Sequence, residues 1–142
     1  KYDLTQKIEL NSSIGLIKAE YKDYDAGHKR YDGERIENTP SHTINFGIAY
    51  REPNGFYSIV DMKNAGDSYF FDNSTNSFIK NDSYTVFNAK AGYISIKGWE
   101  LYTYIKNITD EEYIEGFMAS DYLAMANFGQ RRKVGVGAKY SF

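Results

Sequence analysis

The stretch RRKVGVGAKYSF, residues 131–142, decides the fold. Every second residue gives Arg132, Val134, Val136, Ala138, Tyr140 and Phe142. The others are Arg131, Lys133, Gly135, Gly137, Lys139 and Ser141. After Arg132 the first set is apolar or aromatic, while the second is cationic, tiny or polar. A period of two sustained over a full strand length is the signature of a β-strand with two unlike faces. It runs to the last residue of the sequence with no cap and no turn.

The same alternation recurs upstream. IELNSSIGL sets Ile8, Leu10, Ser12, Ile14 and Leu16 against Glu9, Asn11, Ser13 and Gly15. INFGIAY sets Ile44, Phe46, Ile48 and Tyr50 against Asn45, Gly47 and Ala49. FYSIVDM separates Phe56, Ser58, Val60 and Met62 from Tyr57, Ile59 and Asp61. TVFNAKAGY separates Thr85, Phe87, Ala89, Ala91 and Tyr93 from Val86, Asn88, Lys90 and Gly92. WELYTYIK separates Trp99, Leu101, Thr103 and Ile105 from Glu100, Tyr102, Tyr104 and Lys106. These patterns predict an all-β, antiparallel up-and-down meander of about six strands, over 8–23, 41–52, 55–71, 82–96, 98–107 and 131–142. Helix is expected nowhere, except as a short turn within 108–128.

Composition permits two environments for such a sheet. The 142 residues carry a formal net charge of −2 and no cysteine, which excludes disulfides, thiolate metal sites and a basic nucleic-acid footprint. Aromatics make up 17 % of the chain, with 14 Tyr, 9 Phe and 1 Trp, yet mean hydropathy is −0.60. Tyrosine reconciles the two, having an apolar ring and a wet tip. No run of about 18 apolar residues is present, so no transmembrane helix is expected. A transmembrane barrel is compatible with low hydropathy because lipid-facing and lumen-facing residues alternate. KYDLTQKIEL lacks the apolar core of a signal peptide, so the chain is either cytosolic or preceded by further sequence.

Connection lengths favour the barrel. Residues 52–55 (EPNG) and 96–98 (IKG) are tight turns, while 24–40, 72–81 and 108–130 are long. In a meander, alternate connections share an end, so short turns fall on one side and long loops on the other, as in outer-membrane barrels. The faces opposite the apolar ones carry Glu9, Asp61, Lys90, Glu100, Lys106, Lys133 and Lys139. A wet lumen tolerates such charges and a packed core does not. The competing expectation is a soluble β-barrel or β-sandwich ligand-binding module with one wet face.

The spacing in SYTVFNAKAGYISIKGWELYTYIKNITDEEYIEGF, followed by GQRRKVGVGAKYSF, resembles the last strands of TonB-dependent outer-membrane receptors. The matching residues are Trp99, Leu101, Lys106, Asn107, Ile108, Asp110, Tyr113, Tyr140 and Phe142, with Asn38, Pro40 and His42 upstream. The resemblance implies that residues 1–142 are a C-terminal barrel segment, about the last quarter of a barrel of about 22 strands. The plug and the N-terminal strands lie outside it. It implies the outer membrane of a Gram-negative bacterium and uptake of a scarce ligand, foremost an iron–siderophore complex, with haem, cobalamin or a glycan also open. The implied partners are outer-membrane lipid, TonB acting through the plug, the iron chelate, and a barrel-assembly machinery that reads Gly137, Tyr140 and Phe142. The polar position of that assembly signal is occupied by Gly135.

No enzyme motif is present and no cofactor is expected. His28 and His42 lack a third metal ligand, and Asp23, Asp25, Asp32 and Glu34 do not match a calcium loop, so all read as surface residues. The loop candidates for ligand contact are Tyr31, Arg35, Tyr69, Phe71, Tyr122 and Phe128. Competing with that role, Tyr21, Tyr24, Tyr31, Tyr69, Phe70 and Phe71 read as an interfacial belt. The apolar third loop, which contains Tyr122 and Phe128, reads as rim packing.

Overall fold

A computed structural model describes residues 2–25, 30–72, 75–119 and 123–141. Eleven strands form among them: β1 (Tyr2–Asp3), β2 (Ile8–Leu16), β3 (His42–Arg51), β4 (Phe56–Ala65), β5 (Ser68–Asp72), β6 (Ser77–Asn81), β7 (Tyr84–Ile94), β8 (Trp99–Lys106), β9 (Ile114–Ala119), β10 (Ala124–Phe128) and β11 (Lys133–Tyr140). Seven of them make one antiparallel sheet in the order β1-β2-β3-β4-β7-β8-β11. The pairs β5-β6 and β9-β10 are separate hairpins carried on the loops. No helix occurs among the described residues.

Ladder register places the apolar alternates of every strand on one face. Across the sheet Leu10 pairs Ile48, Ile48 pairs Val60, and Val60 pairs Ala89. Ala89 in turn pairs Ile105, and Ile105 pairs Val134. This face is open to the surroundings, with Ile14 at 69 % and Val136 at 84 % exposure. The opposite, polar face holds Ala49, Tyr57 and Val86, which are all below 8 % exposed. The sheet is therefore inside-out relative to a soluble domain, which would cover its apolar face with a second layer. Lipid is the solvent that suits it, and the polar face lines the lumen.

Two borders mark the apolar band. At the short-turn end, Tyr50, Phe56, Tyr93, Trp99 and Tyr140 share the lipid face. The Tyr50 and Phe56 rings lie 6.5 Å apart, the Tyr93 and Trp99 rings 5.8 Å, and Tyr140 sits opposite Trp99. At the loop end a polar relay crosses three strands. His42 Nε2 meets Asn64 Oδ1 at 2.9 Å, and Asn64 Nδ2 donates to Thr85 Oγ1 at 2.9 Å. Tyr93 to Thr85 spans eight rises, about 27 Å along the strand and about 20 Å along the membrane normal at the usual tilt. That approaches the ~25 Å band of outer-membrane barrels. The belt thus lies at the short turns. Among the loop-base rings read as a belt from sequence, Tyr31 and Phe70 are buried within the loops.

The short turns follow their residues. Gly55 (φ +100°) and Gly98 (φ +85°) take a backbone conformation that side chains disfavour. Each also accepts a backbone hydrogen bond from the end of the neighbouring strand in the sheet, Gly55 O from Ile94 N of β7 at 2.9 Å and Gly98 O from Ser141 N, just after β11, at 2.7 Å. A Cβ there would sit 2.1 Å from Ile94 O or 2.3 Å from Ser141 O.

Boundaries expected from sequence hold within two residues for β3, β7, β8 and β11, and two long strands are shorter than expected. The strand expected over 8–23 ends at Leu16, beyond which only isolated bridges such as Glu20–Arg35 continue. The strand expected over 55–71 breaks after Ala65. Gly66 is pressed against the His42 ring, where a Cβ would lie 2.4 Å from Nδ1. The chain leaves the sheet there and β5 pairs with β6 instead. In the third loop, 108–130, the hairpin β9-β10 stands where at most a helical turn was expected.

Val136→Arg in the intact receptor is expected to cost about 2–4 kcal/mol of folding free energy, the penalty for a cation near mid-bilayer. Asn45→Arg, on the lumen face, is expected to cost less than ~1 kcal/mol. Folding titrations into liposomes measure both, and equal costs would refute the assignment of faces.

Candidate functional site

The three long connections, 17–41, 66–83 and 107–132, leave the sheet at the same end and pack together there. Asn38 ties them. Its backbone N–H donates to Tyr69 O at 2.9 Å. Its side chain pairs with the Phe117 backbone like a neighbouring strand, with Nδ2 donating to Phe117 O at 3.0 Å and Oδ1 accepting Phe117 N–H at 2.9 Å. The Phe70 and Phe117 rings stack beside it at 5.3 Å. Asn81 adds a second tie, donating from Nδ2 to Ser68 Oγ and Ile114 O, both at 3.1 Å.

The Lys-Asn-Ile-x-Asp run at the end of β8 is a structural lock. Asn107 is 1 % exposed, with φ +49°. Its Nδ2 donates to Glu111 O and Gln130 O at 2.9 Å each, and its Oδ1 accepts Glu111 N–H at 2.9 Å. Its own N–H donates to Asn88 Oδ1 at 3.0 Å. Asp110 then clasps the far side of the loop. It accepts from Arg131 Nε at 3.1 Å and Nη2 at 2.9 Å, and from the Arg132 N–H at 2.8 Å. Tyr113 stacks on Tyr84 at 4.1 Å and covers Gly129, where a Cβ would fall 2.0 Å from the ring.

The ligand candidates separate into three places. Tyr31 is 7 % exposed and sits among aromatic rings, with Phe71 at 5.4 Å, Tyr24 at 5.7 Å, Phe78 at 6.1 Å and Tyr21 at 6.2 Å. Phe71 belongs to the same cluster, 5.1 Å from Phe78. The Arg35 guanidinium lies over the Tyr69 ring at 5.2 Å, so the first and second loops meet there as well. Phe128 is exposed on β10 and lines a cleft of about 650 Å³ with Lys80, Tyr84, Glu112 and Arg131. Tyr122, Phe142 and His28 lie outside the described residues. Gly137 carries the Tyr102 ring above it, where a Cβ would lie 2.3 Å from the ring, and Tyr140 belongs to the lipid-facing aromatic row.

Charge around the site is partitioned. The three loops hold 14 Asp or Glu against 8 Lys or Arg, a net of −6 in a chain of net −2. Much of this is paired. Arg30 binds Asp32 at 2.7 Å and approaches Asp23 at 3.8 Å, and Lys80 bridges Asp67 at 3.2 Å and Asp82 at 2.9 Å. Below the loops, Lys90 binds Glu100 at 3.0 Å and lies 3.9 Å above the Tyr102 ring, and the Tyr57 hydroxyl donates to the same carboxylate.

Sequence reasoning passes over Asn81 and reads Phe117 only as one of the third loop's apolar residues, without its Asn38 and Phe70 partners, because tertiary register makes both residues important. It quoted Asn107 without reading its role. The signal available was an Asn at a strand end followed by a turn, since Asn tolerates the left-handed backbone and can bond back to it.

Two outcomes follow from the lock. Asn107→Ala removes three side-chain hydrogen bonds from a buried position and is expected to cost about 2–4 kcal/mol in unfolding. Denaturant titration of the micelle-bound receptor reads it. The Asp110 carboxyl is held below its ordinary range, first by the Arg132 N–H and then by the Arg131 guanidinium. Its contribution is complete above the unfolded value of about 3.9 and is lost as pH falls through the lower folded value. Pepsin should therefore begin to cut within 111–131 as pH drops below about 4, and Asp110→Asn should be cut without that pH step.

The chain matches the sequence model of the family described as TonB dependent receptor-like, beta-barrel, over residues 2–108. Solved structures share the fold. The ferric yersiniabactin uptake receptor FyuA of Yersinia pestis superposes with a TM-score of 0.81 at 16 % identity, covering 99 % of this chain and 22 % of that one. The ferric-catecholate import receptor Fiu of E. coli K12, in its closed form, gives 0.78 at 18 % identity, covering 98 % and 19 %. The siderophore receptor PiuA of Acinetobacter baumannii gives 0.74 at 20 % identity, covering 95 % and 19 %. The chain therefore spans about a fifth of the length of these structures. An apolar, lipid-facing sheet with loops gathered at one end is the architecture of a Gram-negative outer-membrane barrel wall, and the chain belongs to the TonB-dependent receptor-like β-barrel family.

Proposed function

We propose that residues 1–142 form one sector, about the last quarter, of a barrel of about 22 strands that takes up an iron–siderophore complex. The supporting observation is the convergence of all three long connections into one hydrogen-bonded cluster above a polar lumen wall. A wall that only sealed the membrane would not need loops tied by Asn38 and Asn81. In this reading Arg35, Tyr69 and Phe128 offer cation and ring surfaces to the ligand at the mouth, and Tyr122 of the third loop is proposed as a further ligand contact. Tyr31 and Phe71 support that surface from within. The role is capture and passage, with no bond chemistry. Energy would arrive from TonB through a plug supplied by the rest of the protein. The pattern of Gly137, Tyr140 and Phe142 would be read by the barrel-assembly machinery, and outer-membrane lipid would cover the apolar face.

The test is uptake of radiolabelled iron by a Gram-negative host that lacks its own siderophore receptors and makes the full receptor. A panel of catecholate, hydroxamate and carboxylate chelates is compared with haem, cobalamin and a labelled oligosaccharide. Saturable uptake of at least one ferric siderophore, abolished by collapsing the proton gradient, is expected. Uptake confined to haem, cobalamin or the oligosaccharide would overturn the siderophore reading.

A further inference from the structure

Among the described residues of the lumen-facing strands, each cation but two has a ring, a carboxylate partner or a carboxylate directly opposite. Arg51 pairs with Glu9 at 3.5 Å, Lys90 with Glu100 at 3.0 Å, and Lys63 lies over the Tyr84 ring at 5.8 Å. Lys139 stands opposite Glu100 in the β8-β11 ladder. Lys106 and Lys133 are the exceptions, because they stand directly opposite each other in that same ladder. Like charges at opposed positions, with Cβ atoms about 5 Å apart, destabilise a sheet. The ladder continues unbroken to Tyr140↔Trp99, so the two strands cannot slip to separate them. Both residues are exposed, and neither has a carboxylate partner among the described residues. The nearest acid in their row is Asp61, two strands from Lys106, and it already accepts Asn88 Nδ2 at 2.7 Å. The Arg131 guanidinium beside Lys133 is committed to Asp110 and Glu112. Next along the lumen face, the Tyr104 ring lies over Gly135, where a Cβ would sit 2.5 Å from its hydroxyl oxygen, so a phenol donor accompanies the two ammonium groups. A local rule broken at an exposed lumen position, with a donor beside it and no free anion opposite it among the described residues, is the arrangement of a binding site.

We propose that Lys106, Lys133 and Tyr104 form an anion site on the lumen wall, just below the loops, that takes a doubly charged oxygen anion. Its natural occupant is a small ligand bearing paired carboxylates, phenolates or a phosphate. Two lysines paired across one ladder position can converge on two anionic oxygens of one group, and binding relieves their mutual repulsion. The inference rests on the uptake reading only for its occupant, which would be an anionic chelate rather than a neutral one.

The test uses the full receptor in detergent, with pyrophosphate as probe, and needs no transport. Calorimetric titration should show binding that weakens as salt rises. Lys106→Gln or Lys133→Gln should each lower the affinity about ten-fold or more. Lys106→Arg should retain it, and Lys139→Gln should leave it unchanged. Without pyrophosphate, both Gln variants should melt above the wild type, because the repulsion is gone. Equal pyrophosphate affinity in wild type and the Gln variants overturns the proposal, as does a lower melting temperature for both Gln variants in its absence. Lysine-dependent binding in a receptor that imports no ferric siderophore would uphold the site and remove only the siderophore occupant.

Discussion

Inside hydrocarbon no water is available to satisfy a peptide N–H, and the antiparallel ladder of this chain answers that constraint. Every later feature inherits its register. Because side chains alternate with period two, a slip of one residue would turn Val134 and Val136 into the lumen and Lys133 and Gly135 into lipid. The short turns keep this register by folding into the ladder themselves. Gly55 O and Gly98 O each accept from the end of the neighbouring strand in the sheet, so the turn is hydrogen-bonded where that strand ends.

The lumen face shows how a wall without a packed core is stiffened. Tyr57 covers Gly92, Tyr102 covers Gly137 and Tyr104 covers Gly135, each ring lying across its directly opposed glycine. Glycine alone weakens a strand, and an aromatic on the adjacent strand restores the lost contact. The Tyr57 hydroxyl donates to the Glu100 carboxylate, so one side chain covers a glycine with its ring and meets charge with its tip. Lys90 is fastened into this layer by Glu100 and by the faces of Tyr57 and Tyr102.

The wall was legible in the sequence because its environment is binary. Ile44, Phe46 and Ile48 lie on the open apolar face while Asn45, Gly47 and Ala49 lie on the other, and that contrast is written at every second position. The loops were legible only as lengths. Nothing local separates β5 from β4 or marks β9 as a strand, since each is held by a partner hairpin strand and by contacts between loops, such as Phe70 with Phe117. The strand expected over 55–71 runs straight through Gly66, because the cause of the break is the His42 ring, which is distant in sequence. The aromatic row was hidden for a related reason. Tyr50, Phe56, Tyr93, Trp99 and Tyr140 are scattered along the chain and align only once the register is set. Of the site candidates, Tyr31 and Phe71 were recognisable as neighbours of loop bases. That they pack against each other depends on how the first two loops meet.

The two ends of the sheet solve the same backbone problem with different residues, and the difference follows from what each end must do. At the short turns the left-handed positions are Gly55 and Gly98, because a neighbouring carbonyl leaves no room for any side chain. At the loop end, apart from Gly33, the left-handed positions among the described residues are Asp or Asn: Asp23, Asn38, Asn76, Asn107 and Asp110. These residues tolerate that conformation at modest cost, and unlike glycine they keep a polar side chain to spend on a neighbour. Asn38 spends it on Phe117, Asn107 on Glu111 and Gln130, and Asp110 on Arg131 and Arg132. The turn end thus needs only to reverse direction, while at the loop end the residues that reverse the chain also bind the loops to one another. In the proposed uptake role, a mouth built this way would present Arg35, Tyr69 and Phe128 from a connected scaffold rather than from three independent strings, which would lower the ordering cost of capturing a ligand.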